Sequence, residues 1–281
     1  MKDTILLVGH GSREQSGNDE IMAFATEWRK RRPDARIEVC FIEFADVTLD
    51  AGMDMAAKDS QRVIVVPLIL GAAGHVKMEI PHHIEHARER HPDVTFIMAA
   101  HLGAGTKVLK ALKSELHKAM LALDAPDAKN TGVVLLGRGS SDMVANGELA
   151  KMARWIFEKS DHEMVDLAFT GITFPKVETV VQRQILCGMK QVIVLPYYLY
   201  TGVLIERIAR QVERLKQQHP TTSFALAKYI GFADAIYELV DERVAEAIGE
   251  GVVEPKMLEC DGCKYRTFAQ EHGEGHHHHH H

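Results

Sequence analysis

At 281 residues, with 46% apolar and 26% charged residues, the chain has the composition of a globular protein, as one large domain or two of ordinary size. A formal net charge of -6 argues against a nucleic-acid surface, where affinity comes from Lys and Arg neutralising phosphates. No apolar run approaches the roughly 18 residues of a membrane helix, the amino terminus has no signal-peptide pattern, and Cys40, Cys187, Cys260 and Cys263 do not form a secreted disulfide pattern. A cytoplasmic protein without a membrane or nucleic-acid partner is expected.

The chain opens with Ile5-Leu6-Leu7-Val8 running straight into Gly9-His10-Gly11-Ser12. A short, unbroken apolar run ending in turn residues predicts a strand covered on both faces, with His10 at its carboxyl end. From Asn18 to Arg32, Ile21, Phe24, Ala25 and Trp28 recur at helical spacing, and Pro33-Asp34 ends the pattern. A strand is predicted over 36–43, a helix over 47–58, and a second buried strand over 63–70 that ends in a Gly-Ala-Ala-Gly-His loop. A mainly helical stretch follows over 77–90, with Pro81 tolerable only in a first turn. A strand over 94–99 and a helix over 106–121 complete the unit. The order βαβαβαβα implies a mainly parallel sheet with helices on both faces.

Residues 123–131 are polar, without periodicity, and read as a linker. The pattern then repeats. Val133-Val134-Leu135-Leu136-Gly137-Arg138-Gly139-Ser140 matches the opening stretch, and Asn18 and Glu20 match Asn146 and Glu148. Val63 to Pro67 matches Val192 to Pro196, Gly74 matches Gly202, and His91-Pro92 matches His219-Pro220. This is a duplicated domain: an α/β chain of two lobes, over 1–122 and 132–249, with a tail over 250–281.

The halves differ where chemistry is expected. His10, Glu43 and His75 stand at three strand ends of the first half, and Arg138, Gly171 and Val203 at the same places in the second. Strand ends on one edge of a parallel sheet converge on ligands, so His10, Glu43 and His75 are candidate ligands of one ion, His10 and His75 being also the candidate catalytic pair. Two imidazoles and a carboxylate suit a divalent first-row metal, and imidazole also accepts a proton near neutral pH. No Gly-rich phosphate loop is present. A non-catalytic metal carrier fits the same residues.

At these residues a resemblance emerges. Leu6-Leu7-Val8-Gly9-His10-Gly11-Ser12, the run Val65 to Leu70 leading to Ala73-Gly74-His75-Val76-Lys77, and Pro196-Tyr197-Tyr198-Leu199-Tyr200-Thr201-Gly202 together resemble the sirohydrochlorin cobaltochelatases, class II tetrapyrrole chelatases, in their long two-half form. The resemblance spans about residues 3 to 250. It implies two chelatase-like lobes with a cleft between them. It also implies ATP-independent insertion of Co2+ into sirohydrochlorin on the anaerobic route to cobalamin. His10 and His75 match the metal-site histidines, and Glu43 stands where relatives have an acidic residue. Fe2+ or Ni2+ insertion on the same fold is the alternative, since the ligand set does not separate these ions. The substrate is a polycarboxylate, so cations are expected at the cleft, with Arg13, Lys77, Arg138 and Arg207 as candidates. Tyr197, Tyr198 and Tyr200 are placed on the opposite wall.

His82 and His86 share a helix at i, i+4, a spacing that can clamp a metal, but the pair is read as a solvated helix face, the commoner case. In the tail, Cys260-Asp-Gly-Cys263 resembles a segment that long-form chelatases use for an iron–sulfur cluster. Two thiolates are fewer than the usual four, so a second chain joined as a homodimer through the tail, other ligands, Cys40 or Cys187 would have to complete it, and a bare dithiol or labile metal site is the other reading. Cys40 and Cys187 are expected in buried elements. The terminal His276–His281 run reads as a purification tag, a native metal-buffering tract being the alternative, and is set apart from the fold.

Overall fold

The computed structural model describes residues 3–71 and 74–249, and of His75 only the backbone. In the first half, β1 (Asp3–Gly9) lies between β2 (Arg36–Phe41) and β3 (Arg62–Pro67), with β4 (Thr95–Met98) beyond β3, all parallel. In the second, β5 (Thr131–Gly137) lies between β6 (Met164–Phe169) and β7 (Gln191–Pro196), with β8 (Ser223–Leu226) outermost. The register repeats with the topology: Val8 stands opposite Cys40 and Pro67, and Leu136 opposite Ala168 and Pro196. The duplicated α/β plan read from the sequence is thus borne out.

The continuous apolar strands are explained by the layers around them. Ile5, Leu7, Ile37, Val39, Ile64 and Val66 alternate with Leu6, Val8, Val63 and Val65, and the two sets belong to different cores. The second set packs against α2 (Leu49–Ala57) and α3 (Ile80–Arg90) on the outer face. The first set faces α1 (Gln15–Arg31) and a core that continues without a break into the other lobe. The second sheet is covered outside by α6 (Val177–Leu186) and α7 (Val203–Gln218), and inside by α5 (Met143–Glu158). Phe24 and Trp28, both fully buried on α1, anchor the shared core; each large apolar side chain so removed from water contributes about 1.5–3 kcal/mol.

The last helix of each half leaves its own sheet. α4 (Thr106–Leu121) packs on β7, β8 and α5, while α8 (Asp234–Ile248) packs on β3 and β4. On α8, Tyr237 stacks on Phe24 with ring centroids 4.3 Å apart. Trp28 Nε1 donates to Asp241 at 3.0 Å, and the Arg243 guanidinium donates to the carbonyls of His101 and Leu102. The halves are therefore interlocked through helices, each lobe being closed by the other's final element.

Some local expectations change. The stretch before α3 is a π-helical turn, His75–Glu79, and the α-helix begins at Ile80 with Pro81 in its first turn, where its missing N–H costs nothing. β2 stops at Phe41, so Glu43 lies in a loop. Cys40 is buried, its thiol pushed up to about 12 by burial, but Cys187 is exposed, because it is the residue at which α6 ends. Cys260, Cys263 and the terminal histidines lie outside the described residues. No helix of the described residues is long and apolar enough to cross a membrane.

Candidate active site

The loop after β1 is held by its own sequence. The Ser12 amide donates to Asn18 Oδ1 at 2.8 Å, and Asn18 Nδ2 returns a bond to the Ser12 carbonyl at 2.9 Å. Asn146 clamps Ser140 in the same way, which explains why both asparagines recur in the two halves. Gly11 has φ +87°, a left-handed conformation that suits glycine, and a Cβ there would lie 1.7 Å from the Glu43 carbonyl oxygen. That closeness lets the backbone of the two strand ends stay paired beyond the sheet: Ile42 N–H donates to Gly9 O and Glu43 N–H to His10 O.

The side chains follow. His10 Nδ1 lies 3.4 Å from Glu43 Oε1 and 3.2 Å from the Gly11 carbonyl, and both side chains are about a quarter exposed. Two acceptors beside Nδ1 place the ring proton there and make Nε2 the acceptor nitrogen, the tautomer that a metal ligand or general base needs. The next residue, Phe44, has φ +58° and is half exposed, and the Arg13 guanidinium lies 4.6 Å over its ring. A bulky residue in the left-handed region costs about 1–3 kcal/mol, which the surrounding contacts must offset.

The second lobe completes the surroundings. Its loops after β7 and β8 reach α1 and the His10 loop: Thr201 N–H donates to Glu20 Oε2 at 2.9 Å, Tyr229 hydroxyl donates to Glu20 Oε1, and Gly202 lies against Ser12 Oγ. Tyr200 is partly buried there with its phenol oxygen hydrogen-bonded to the His10 backbone; desolvation pushes its pKa up to about 12, the His10 bond and Arg138 oppose this, and Glu43 adds to it. Tyr198 pairs with Thr170 at 3.0 Å. In the reciprocal contact, Lys77 reaches across to Asp142, the N-cap of α5, at 2.5 Å. Burial disfavours the Asp142 charge, but Lys77 and the amides of Val144 and Ala145 outweigh it and hold the carboxyl below its usual range.

His10 and Glu43 are thus brought together. His75 opens the π-helical turn after β3, its side chain outside the described residues. Arg138 is exposed in the loop after β5, and Arg207 is exposed on the first turns of α7. Lys77, expected to meet substrate, has its ammonium on Asp142. Among the described residues no group of three or more His, Cys, Asp or Glu gathers as a metal site. Sequence reasoning missed Glu20, Asp142, Tyr229 and the exposed apolar residues at the strand-end edge, Phe44, Ile172 and Phe174. Only Glu20 carried a signal, its recurrence as Glu148. A separate cavity of about 290 Å3 lies between the loop after β4 and α5, with His101, Glu148 and Arg243 in its lining.

Against known proteins, the CbiX family profile matches residues 4–119 and, a second time, 132–247. The chain belongs to the CbiX family. It is an enzyme of the metal-chelatase class. It is 40% identical to the sirohydrochlorin cobaltochelatase of Priestia megaterium, over 97% of this chain and 88% of that protein. It is 29% identical to the sirohydrochlorin ferrochelatase of the same organism, over 86% of this chain and 89% of that one. The solved structure of SirB from Bacillus subtilis with Fe3+ superposes with a TM-score of 0.78 at 30% identity, covering 91% of this chain and all of that one. The match to SirB thus extends over both lobes of this chain.

Proposed function

We propose that this CbiX chain inserts Co2+ into sirohydrochlorin without ATP, on the route to cobalamin. The observation that carries the reading is the contact of His10 Nδ1 with Glu43 Oε1 at a sheet edge whose counterpart in the other lobe has Arg138 and Gly171. The metal as substrate is held by His10, Glu43 and His75. The ring gives up two pyrrole protons as the ion enters, M2+ replacing 2 H+, and a neutral histidine on the same face accepts a proton and passes it to water. Phe44, Ile172 and Phe174 offer apolar surface to the macrocycle face. Arg13, Arg138 and Arg207 offer charge to its carboxylates, while Lys77 contributes by holding the lobes through Asp142. Cobalt is favoured over iron by the identities of 40% against 29% to two enzymes of one organism.

The test is the absorbance change of sirohydrochlorin with limiting protein and Co2+, Fe2+ or Ni2+ in turn, beside His10→Ala. Rapid metallation fastest with Co2+, lost in the variant, is expected. Faster turnover with Fe2+ would move the assignment to a ferrochelatase, and faster turnover with Ni2+ to a nickelochelatase. No acceleration and no macrocycle binding would leave a metal carrier. The reading also assigns Cys260 and Cys263 to an iron–sulfur cluster or labile metal, the tail to a homodimer contact and the chain to the cytoplasm. Iron and sulfide content, solution mass and cell fractionation check these in turn.

A further inference from the structure

Four histidines cluster on or beside α3, away from the site above. Two are engaged by α2: His83 Nδ1 lies 3.1 Å from Asp50 Oδ1, and His91 Nε2 lies 2.7 Å from Asp54 Oδ1. The other two face each other. His82 and His86 are one helical turn apart, both at the surface, with ring centroids 4.2 Å apart and planes inclined by 58°. Two imidazole nitrogens, each about 2.0–2.1 Å from a shared ion, stand about 3 Å apart, a separation that rings this close reach by small rotations. The helix fixes both Cα positions, so little ordering remains to oppose binding.

The surroundings favour a cation: Glu85 and Asp50 lie within electrostatic reach of His82.

We propose that His82 and His86 form a second metal site, a surface clamp for one divalent first-row ion such as Ni2+, Zn2+ or Co2+, with water completing the coordination. The site is independent of the His10 centre and of which metal the enzyme inserts. The backbone places it seven and eleven residues beyond His75 on one continuous helical run, roughly 10–16 Å along the axis at 1.5 Å per residue.

The test is nuclear magnetic resonance of the full chain labelled at histidine, titrated with Ni2+ or Co2+, with each ring signal assigned so that uptake by the His276–His281 run is read separately. The His82 and His86 signals should broaden together, in the parent chain and equally in His10→Ala. In His86→Ala, the His82 signal should need about tenfold more metal or greater to broaden, in line with the loss of metal-site partners elsewhere. Both residues are exposed, so folding is not at stake. Sharp His82 and His86 signals while other histidines broaden, or a His82 response unchanged in His86→Ala, overturns the assignment.

Discussion

Replacing Gly11 by alanine tests whether the pairing of two strand ends builds the site. The added methyl would sit 1.7 Å from the Glu43 carbonyl oxygen, a backbone atom, so the strand ends must separate. The left-handed φ of +87° costs an L-residue about 1–2 kcal/mol. Loss of the Glu43 N–H bond to His10 O adds about 1 kcal/mol. The sum is about 2–3 kcal/mol, a fall in Tm of roughly 4–12 °C for a chain of this size. Gly139 is the internal control. Its φ is +83°, and a Cβ there meets the Thr173 methyl at 2.9 Å, Phe169 Cδ1 at 3.2 Å and the Thr173 amide nitrogen at 3.3 Å, so no backbone atom lies within 3.0 Å. Gly139→Ala should therefore cost less than Gly11→Ala, mainly the conformational part of about 1–2 kcal/mol. Thermal unfolding and the initial rate of metal insertion are measured on both. Gly11→Ala should lose most activity at temperatures where it is still folded, because Glu43 moves from His10, whereas Gly139→Ala retains most of it. Equal destabilisation, or full activity in folded Gly11→Ala, refutes the argument.

Tyr200→Phe removes the phenol that bonds the His10 backbone across the lobes; the unpaired group costs about 1–3 kcal/mol, and the metallation rate should fall while far-ultraviolet circular dichroism is unchanged. Lys77→Ala leaves the Asp142 carboxylate, whose side chain is only 10% exposed, without its cation; about 3 kcal/mol of stability should go, and Asp142→Asn in the same chain should recover part of it in urea unfolding. The Asp142 pKa is lowered in the folded protein, so its contribution is fully present above the unfolded value near 3.9 and disappears as pH falls through the lower folded value. Asp142→Asn should accordingly flatten the acid limb of the urea midpoint against pH and leave the neutral region's slope alone.

Much of the site's frame was legible because it is local. The asparagine clamp joins residues six apart, Asn18 to Ser12 and Asn146 to Ser140, and the glycine turns are written into Gly-x-Gly-Ser. The meeting of His10 with Glu43 needed one inference more, that adjacent parallel strands bring their ends together. Lys77 shows where that reasoning stops: a lysine beside a strand end reads as a substrate cation, and its partner, Asp142, is reachable only through the packing of one lobe on the other. Cys187 failed for a smaller reason, since one residue at a helix end decides whether a thiol is buried or exposed.

Strand runs, helix faces and the duplication were determined by the sequence alone, because apolar periodicity and repeated motifs act over short separations and survive without knowledge of neighbours. Tertiary structure decided the rest. The exchange of α4 and α8, the contact of Tyr200 with His10 and that of Thr201 with Glu20 join residues far apart in the chain. They depend on how two nearly equivalent lobes dock as bodies, a choice set by shape and burial over a whole shared core, for which no local spacing of residues is a record.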